Sequence, residues 1–271
     1  MLQSSTVNRL GPSFVTPMML KIVNHLCNHG NTLPLAPSHF AGNIGSIMTP
    51  ATHLEPAREL PVIDEADVLV IGAGPGGLGA AIAAGRSGAR TILVERFGSF
   101  GGTWTAGILS AIMPFPFVRG VFKELHEKLT AADGWGGWHG GDHYGSGGTY
   151  DTEAIKVVLD RMVVEAGVIP YFFTSLSDVI REGNRITGVI VESKEGRAVI
   201  RAKQIIDSSG DGDVCVRAGV PHAQGRESDG GVQPMTMIFK MVGVDTARAQ
   251  EARKPDWHYT QAWAAAKAAG E

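Results

Sequence analysis

The stretch ADVLVIGAGPGG, residues 66–77, decides the fold of this chain. Its first half is a nearly continuous apolar run, which predicts a strand buried on both faces of a parallel sheet. Its second half is a GxGxxG motif, and residues 76–88 then carry apolar side chains at helical spacing before a second apolar run at 90–95. A strand, a glycine turn, a helix and a strand in this order predict a βαβ unit.

The glycine turn in this context predicts dinucleotide binding. A GxGxxG motif alone is weak evidence in a chain with 36 glycines among 271 residues, but a strand before it and a helix after it are the context that supports the interpretation. Gly72 permits a tight turn, Gly74 lets a pyrophosphate approach the backbone, and Gly77 lets the helix pack closely on the strand. Glu95 ends the second strand and can accept hydrogen bonds from ribose hydroxyls. That carboxylate disfavours a 2′-phosphate and therefore NADP, although Arg96 beside it weakens the inference.

Two further glycine turns follow. Gly101 and Gly102 lie six and seven residues after Glu95. A simple NAD-binding unit needs no glycine pair at this position, whereas a backbone segment that approaches a long ligand closely a second time would need one. The run SSGDGD, residues 208–213, follows an apolar strand and precedes a helix start. The alternative to ligand binding is an ordinary loop turn in each case, the second one capped by Asp211 or Asp213.

The remaining patterns complete an α/β chain. Asp151 and Gly167 are the predicted caps of one helix. Eight glycines within residues 134–148 predict a flexible loop. The predicted helices are 117–132, 152–166, 213–218 and an Ala-rich region at 246–270; the predicted strands are 171–180, 186–193, 198–206 and 235–242, of which the first three form a β-meander.

Composition excludes several classes of protein. With 24 basic and 27 acidic residues, the chain offers no electrostatic reason to bind nucleic acid or an anionic membrane. Cys27 and Cys215 are too few for an iron–sulfur cluster, a disulfide framework or a four-thiolate zinc site. His139 and His143 lie in the glycine-rich segment without a helix to align them, so no metal site is predicted. No signal peptide or membrane-spanning segment is evident, and a soluble cytoplasmic protein is the default expectation.

The three glycine turns, in this order and with the meander between the second and third, resemble the FAD-dependent oxidoreductases of the two-dinucleotide-binding-domain fold. That group includes succinate dehydrogenase/fumarate reductase flavoproteins and proteins related to the flavin-binding component of heterodisulfide reductase. The resemblance covers residues 64–245 and is carried by DVLVIGAGPGGLGAAIAAGRSGARTILVE, GGTWTAG, YDTEAIKVVLDRMVVEAGV, IIDSSGDGDVCVRAGVP and GRESDGGVQPMTMIFKMVGVD. It implies a Rossmann-like FAD-binding domain with a parallel sheet and a β-meander, followed by the start of an incomplete substrate domain.

The resemblance also implies a cofactor, FAD, and the residues that bind it. The first glycine turn would hold the pyrophosphate and Glu95 the adenosine ribose. The second turn would lie against the ribityl and flavin side, Leu176 beside the adenine, and the third turn near the pyrophosphate and ribitol. The candidate cofactor-binding residues are Gly72, Gly74, Pro75, Gly76, Gly77, Glu95, Arg96, Gly101, Gly102, Thr103, Leu176, Gly210 and Asp211.

The sequence therefore predicts an FAD-dependent oxidoreductase that transfers a hydride between a small-molecule substrate and non-covalently bound FAD, which an electron acceptor reoxidises. The alternatives are an NAD-dependent dehydrogenase and a truncated nucleotide-binding remnant without catalysis. No spacing identifies a catalytic acid or base. Residues 1–60, with no acidic residue before Glu55, are expected to form a poorly ordered extension, 61–221 the FAD-binding domain, and 222–271 the beginning of a substrate domain.

Overall fold

A computed structural model describes residues 53–112, 119–139, 147–233 and 238–245, together with 247–248, 251, 264–265 and 268–269. The chain divides into two units, and the fold described below is that of the compact unit Ala57–Lys240. The domain boundaries at residues 60 and 221 stay predictions.

The described residues of this unit form two sheets and four α-helices. The strands are β1 (Val62–Ile71), β2 (Thr91–Val94), β3 (Ala111–Ile112), β4 (Trp135–His139), β5 (Gly147–Tyr150), β6 (Ile169–Tyr171), β7 (Ser175–Glu182), β8 (Arg185–Ser193) and β9 (Gly196–Asp207). The helices are α1 (Pro75–Arg86), α2 (Val121–Ala131), α3 (Thr152–Glu165) and α4 (Asp213–Arg217). Within the described part of the chain, no helix has the length and apolar character needed to cross a membrane.

The larger sheet has the strand order β6-β2-β1-β9-β8-β7. Strands β6, β2, β1 and β9 run parallel, whereas β7, β8 and β9 form an antiparallel meander. Side chains of β1 and β2 alternate between two apolar clusters: Val70 and Leu93 pack with α1 and α3 on one face, and Leu69 and Ile92 pack with the meander on the other. The prediction of strands buried on both faces, within a Rossmann-like unit with a parallel sheet and a meander, is confirmed.

The predicted loop at residues 134–148 is wrong where the structure describes it. Strands β4 and β5 pair antiparallel there, and β3 completes a three-stranded sheet. A Cβ on Gly148 would lie 2.1 Å from the Trp135 ring, and one on Gly136 would lie 2.6 Å from the Thr149 hydroxyl. These two glycines make room for side chains of the paired strand, so at these positions the glycine reflects close packing rather than flexibility. Residues 140–146, with His143, lie outside the described residues.

Several boundaries differ from the sequence predictions. The predicted strand 171–180 is divided between β6 and β7, because the chain turns between them at Phe173, which has φ +49°. Residues 238–242 of the strand predicted at 235–242 lie in no strand, and 234–237 lie outside the described residues, as does most of 246–270. Helix α3 is confirmed, with Asp151 accepting 2.8 Å hydrogen bonds from the amides of Glu153 and Ala154.

Candidate functional site

The carboxyl ends of β1, β2 and β9 meet at one edge of the larger sheet. Ile71 pairs with Val94 on one side and with Asp207 on the other, so the glycine turns that follow these strands begin side by side. A cleft of about 1060 Å³ opens at this edge. The predicted site residues that line it are Gly72, Gly74, Pro75, Gly76, Glu95, Arg96, Gly102, Thr103, Leu176, Gly210 and Asp211. Gly77 and Gly101 are not among the lining residues, because they pack behind the turns.

In the first turn, two glycines are required by packing and one is not. Gly72 has φ +93°, and a Cβ there would lie 2.3 Å from the Ser208 carbonyl oxygen. A Cβ on Gly77 would lie 1.9 Å from the Gly72 carbonyl oxygen, whereas a Cβ on Gly74 would meet no heavy atom within 4 Å. The absence of a side chain at Gly74 therefore leaves open space in the cleft rather than satisfying a protein contact.

The N-terminus of α1 points its unused donors at this space. The first intrahelical bond runs from the Leu78 amide to the Gly74 carbonyl at 2.9 Å. The amides of Gly76 and Gly77 precede that bond and have no partner within the helix, and Pro75 has no amide proton. Free amides and the positive end of the helix dipole favour an anionic ligand at this point.

Glu95 has a structural role that the sequence did not reveal. Its side chain is 4% exposed, and its two carboxylate oxygens accept hydrogen bonds from the amides of Ala73 at 2.8 Å and Phe97 at 2.9 Å. The carboxylate thus fastens the first glycine turn to the end of β2. A carboxylate offers about four acceptor sites, so two remain for a ligand hydroxyl.

The second turn packs directly on the first. The Gly101 amide donates to the Ala73 carbonyl at 2.8 Å, and a Cβ on Gly102 would lie 3.0 Å from the Cα of Gly74. Gly101 has φ +111°, which a side chain would disfavour. The glycine pair therefore lets two backbone segments approach each other at the cleft. The following residue, Thr103, also lines the cleft.

The third turn is organised by Asp207, which the sequence analysis missed. One carboxylate oxygen accepts from the amide and hydroxyl of Ser209, at 3.1 and 2.7 Å, and the other accepts from the amides of Val214 and Cys215, both at 3.0 Å. Burial acts to raise the pKa of Asp207, but the hydrogen bonds from Ser209 and Cys215 outweigh it and lower the pKa. The capping expected of Asp211 or Asp213 falls to Asp207 instead, since Asp213 pairs with Arg217 at 2.9 Å. The sequence feature that could have identified Asp207 is an Asp at the end of a strand followed by two serines.

We expect Asp207→Ala to lower the free energy of unfolding by about 2 kcal/mol at pH 7, because four donors lose a charged acceptor. The folded-state pKa of Asp207 is depressed, so this stabilisation is fully present above the ordinary value of 3.8 and is lost as the pH falls through the lowered pKa. Urea denaturation of both proteins at pH 7 and at decreasing acid pH measures the difference. Asp211→Ala is the control, and an equal loss in both variants would contradict the assignment.

Among the described residues, no group of three or more His, Cys, Asp or Glu side chains is placed to hold a metal ion. The features that remain are three glycine turns, a helix N-terminus with free amides, and a buried carboxylate around one long cleft. This donor set suits an extended anionic ligand with hydroxyl groups.

Comparison with known proteins agrees with that chemistry. A family model described as FAD dependent oxidoreductase matches residues 67–270. The chain is 31% identical over 163 residues to a thiamine thiazole synthase of Methanococcus maripaludis, covering 55% of this chain and 57% of that protein. It is 28% identical over 166 residues to a thiamine thiazole synthase of Aeropyrum pernix, with 56% and 57% covered. The crystal structure of Thermovibrio ammonificans THI4 matches with 22% identity, a TM-score of 0.42, and 56% of this chain and 61% of that chain covered.

Proposed function

Because the chain belongs to the FAD dependent oxidoreductase family, we propose that its cleft binds FAD non-covalently and that the whole protein transfers a hydride between FAD and a small-molecule substrate. The chain spans about 57% of the length of the curated relatives it matches. The substrate and the electron acceptor are accordingly proposed only as classes. The finer resemblance to heterodisulfide reductase and to succinate dehydrogenase/fumarate reductase flavoproteins stays a prediction, since the two curated relatives named are thiamine thiazole synthases.

The observation that carries this proposal is the convergence of all three glycine turns on one cleft. Its volume of about 1060 Å³ lies just above the range of roughly 300–1,000 Å³ typical of small-molecule sites, as a ligand with two nucleotide halves requires. Gly74 leaves open the space that a side chain would fill, at the point where a pyrophosphate approaches the helix. The residues present fit the cofactor of the family.

Each part of the cleft has a proposed task. The Gly76 amide at the N-terminus of α1 would donate to a pyrophosphate oxygen, and Glu95 would accept from ribose hydroxyls with the lone pairs that Ala73 and Phe97 do not use. Bound FAD supplies the hydride chemistry itself. The remaining candidates keep the roles that the resemblance implies: Leu176 beside the adenine, Gly102 and Thr103 on the flavin side, and Gly210 and Asp211 near the ribitol.

We expect the purified 271-residue chain to carry flavin or to bind added FAD, to show flavin absorbance in the visible range, and to bleach when dithionite is added without air. Bleaching by an organic hydride donor, followed by recovery with an added electron acceptor, would support the oxidoreductase activity. A colourless protein that binds NAD and not FAD would overturn the proposal. Flavin that binds and is reduced by dithionite but by no organic donor would support the cofactor site and argue for a non-catalytic remnant.

A further inference from the structure

The segment that follows the second glycine turn forms a closed loop at the edge of the cleft. Thr103, Ala106 and Gly107 line the cleft. The loop folds on itself through backbone hydrogen bonds: the Gly107 amide donates to Gly102 at 2.9 Å, and the Leu109 amide donates to Thr103 at 3.0 Å. Residues 103–109, which follow the glycine pair, therefore form one part of the cleft wall.

One residue of this loop has an unfavourable backbone conformation. Ile108 has φ +50°, in the left-handed region that β-branched residues strongly avoid, and its side chain is 37% exposed. Burial of an apolar side chain therefore does not explain the conformation. Such a residue persists only where its surroundings impose the conformation, so a second element must hold the loop.

Tyr150 is in a position to do so. The Tyr150 hydroxyl lies 3.0 Å from the Trp104 carbonyl oxygen and 2.5 Å from the Leu109 carbonyl oxygen. These two acceptors lie on either side of Ile108 in the sequence. The Tyr150 side chain is 5% exposed, and burial raises the pKa of its hydroxyl, which keeps it a neutral donor.

Tyr150 is itself held from both sides along the chain. It is the last residue of β5 and pairs with Trp135 of β4. The next residue, Asp151, caps α3 and donates its amide to the Gly134 carbonyl at 2.8 Å. The small sheet built from the glycine-rich segment therefore presents a fixed hydroxyl to the loop of the cleft.

We propose that Tyr150 is a positioning residue for the flavin half of FAD, because it holds the loop 103–109 in the shape that the cleft requires. This inference rests on the proposed function and on the placement of the flavin side at Gly102 and Thr103. Glu95, which would hold the adenosine ribose, bonds the amides of Ala73 and Phe97, and the Ala73 carbonyl of the first glycine turn accepts from Gly101, so these hydrogen bonds use neither acceptor of the Tyr150 hydroxyl. The loss of this hydroxyl should therefore affect the two halves of the cofactor unequally.

The test compares Tyr150→Phe with wild type in titrations with FAD and with ADP, which lacks the ribityl and flavin groups. The Kd for FAD should rise about 3- to 10-fold, as expected for one lost hydrogen bond, and the Kd for ADP should change less than about 2-fold. Tyr171→Phe is the matched control, since its hydroxyl bonds Asp64 at 3.0 Å and the residue does not line the cleft. It should leave both Kd values unchanged.

Hydrogen–deuterium exchange of the apo-protein gives a readout independent of FAD. In Tyr150→Phe the amides of residues 104–109 should exchange at least about 5-fold faster, while those of α3 keep their wild-type rates. In an Ile108→Gly background, where φ +50° carries no strain, Tyr150→Phe should change FAD affinity less than it does in wild type. This double variant is less strained and also serves if the single variant folds poorly.

An unchanged Kd for FAD in Tyr150→Phe, an equal loss for FAD and ADP, or unchanged exchange in the loop would each overturn the inference. So would the same Tyr150→Phe effect in both backgrounds. Failure of wild type to bind FAD would instead overturn the proposed function, and the exchange rates would still decide whether Tyr150 holds the loop.

Discussion

Gly74→Val is expected to fold as wild type and to bind FAD less tightly. Gly74 has φ −68° and ψ −178°, an extended conformation that valine adopts readily, and its Cβ would meet no heavy atom of the protein within 4 Å. The two added methyl groups would instead occupy the cleft at the N-terminus of α1, where the pyrophosphate is proposed to lie. A steric conflict of this kind costs about 1–3 kcal/mol, which corresponds to a Kd for FAD roughly 5- to 150-fold higher.

Two measurements on the same preparation separate binding from folding. Urea denaturation of the apo-protein should give a free energy of unfolding within about 1 kcal/mol of wild type, and titration with FAD should give the raised Kd. Gly79→Ala is the control, because Gly79 lies in the same helix, has open space at its Cβ and does not line the cofactor cleft. It should retain FAD and gain up to about 1 kcal/mol from helix propensity. An unchanged Kd for FAD in Gly74→Val would show that the pyrophosphate binds elsewhere.

The part of the site that could be predicted from sequence is the part built by neighbours in sequence. The apolar run 66–71, the glycine turn and the helix face follow one another, so their periods and spacing are readable without the fold. Likewise, Asp151 caps the helix that begins one residue later. Because the ends of parallel strands meet at one sheet edge, the convergence of the three turns also followed once the strands were identified.

What could not be predicted depends on contacts between distant segments. From composition, the glycines at 136 and 148 predict a flexible loop. Only the pairing of β4 with β5 reveals that Thr149 excludes a side chain at Gly136 and that the Trp135 ring excludes one at Gly148. The position of Glu95 at the end of β2 predicts a bond to a ribose, but its bond to the Ala73 amide depends on β1 and β2 lying side by side. Tyr150 begins one of the segments that carry the family resemblance, but its two acceptors are more than 40 residues away in sequence, so its hydrogen bonds could not be predicted.

Gly77→Ala is expected to damage the fold itself, although it adds only one methyl group to the same motif. A Cβ there would lie 1.9 Å from the Gly72 carbonyl oxygen and 3.1 Å from the Cβ of Ser208. The obstacle is backbone at the end of β1, so it cannot rotate away, and relief requires α1 to shift from the sheet. We expect a loss of at least about 3 kcal/mol in the free energy of unfolding, at the upper end of overpacking costs. Urea denaturation of the apo-protein measures this loss.

The adjacent glycine provides the control. A Cβ on Gly76 would lie 3.8 Å from the Ser208 hydroxyl oxygen, an ordinary contact, so Gly76→Ala should unfold within about 1 kcal/mol of wild type. Saturating FAD should raise the unfolding midpoint of wild type by linkage but should not restore Gly77→Ala, because the helix shift that accommodates the methyl group also displaces the amides that face the cleft. If Gly77→Ala proved as stable as Gly76→Ala, the close packing of α1 on the first turn would be wrong. Opposite results for Gly74→Val and Gly77→Ala would show that one glycine motif combines a binding requirement and a packing requirement at separate positions.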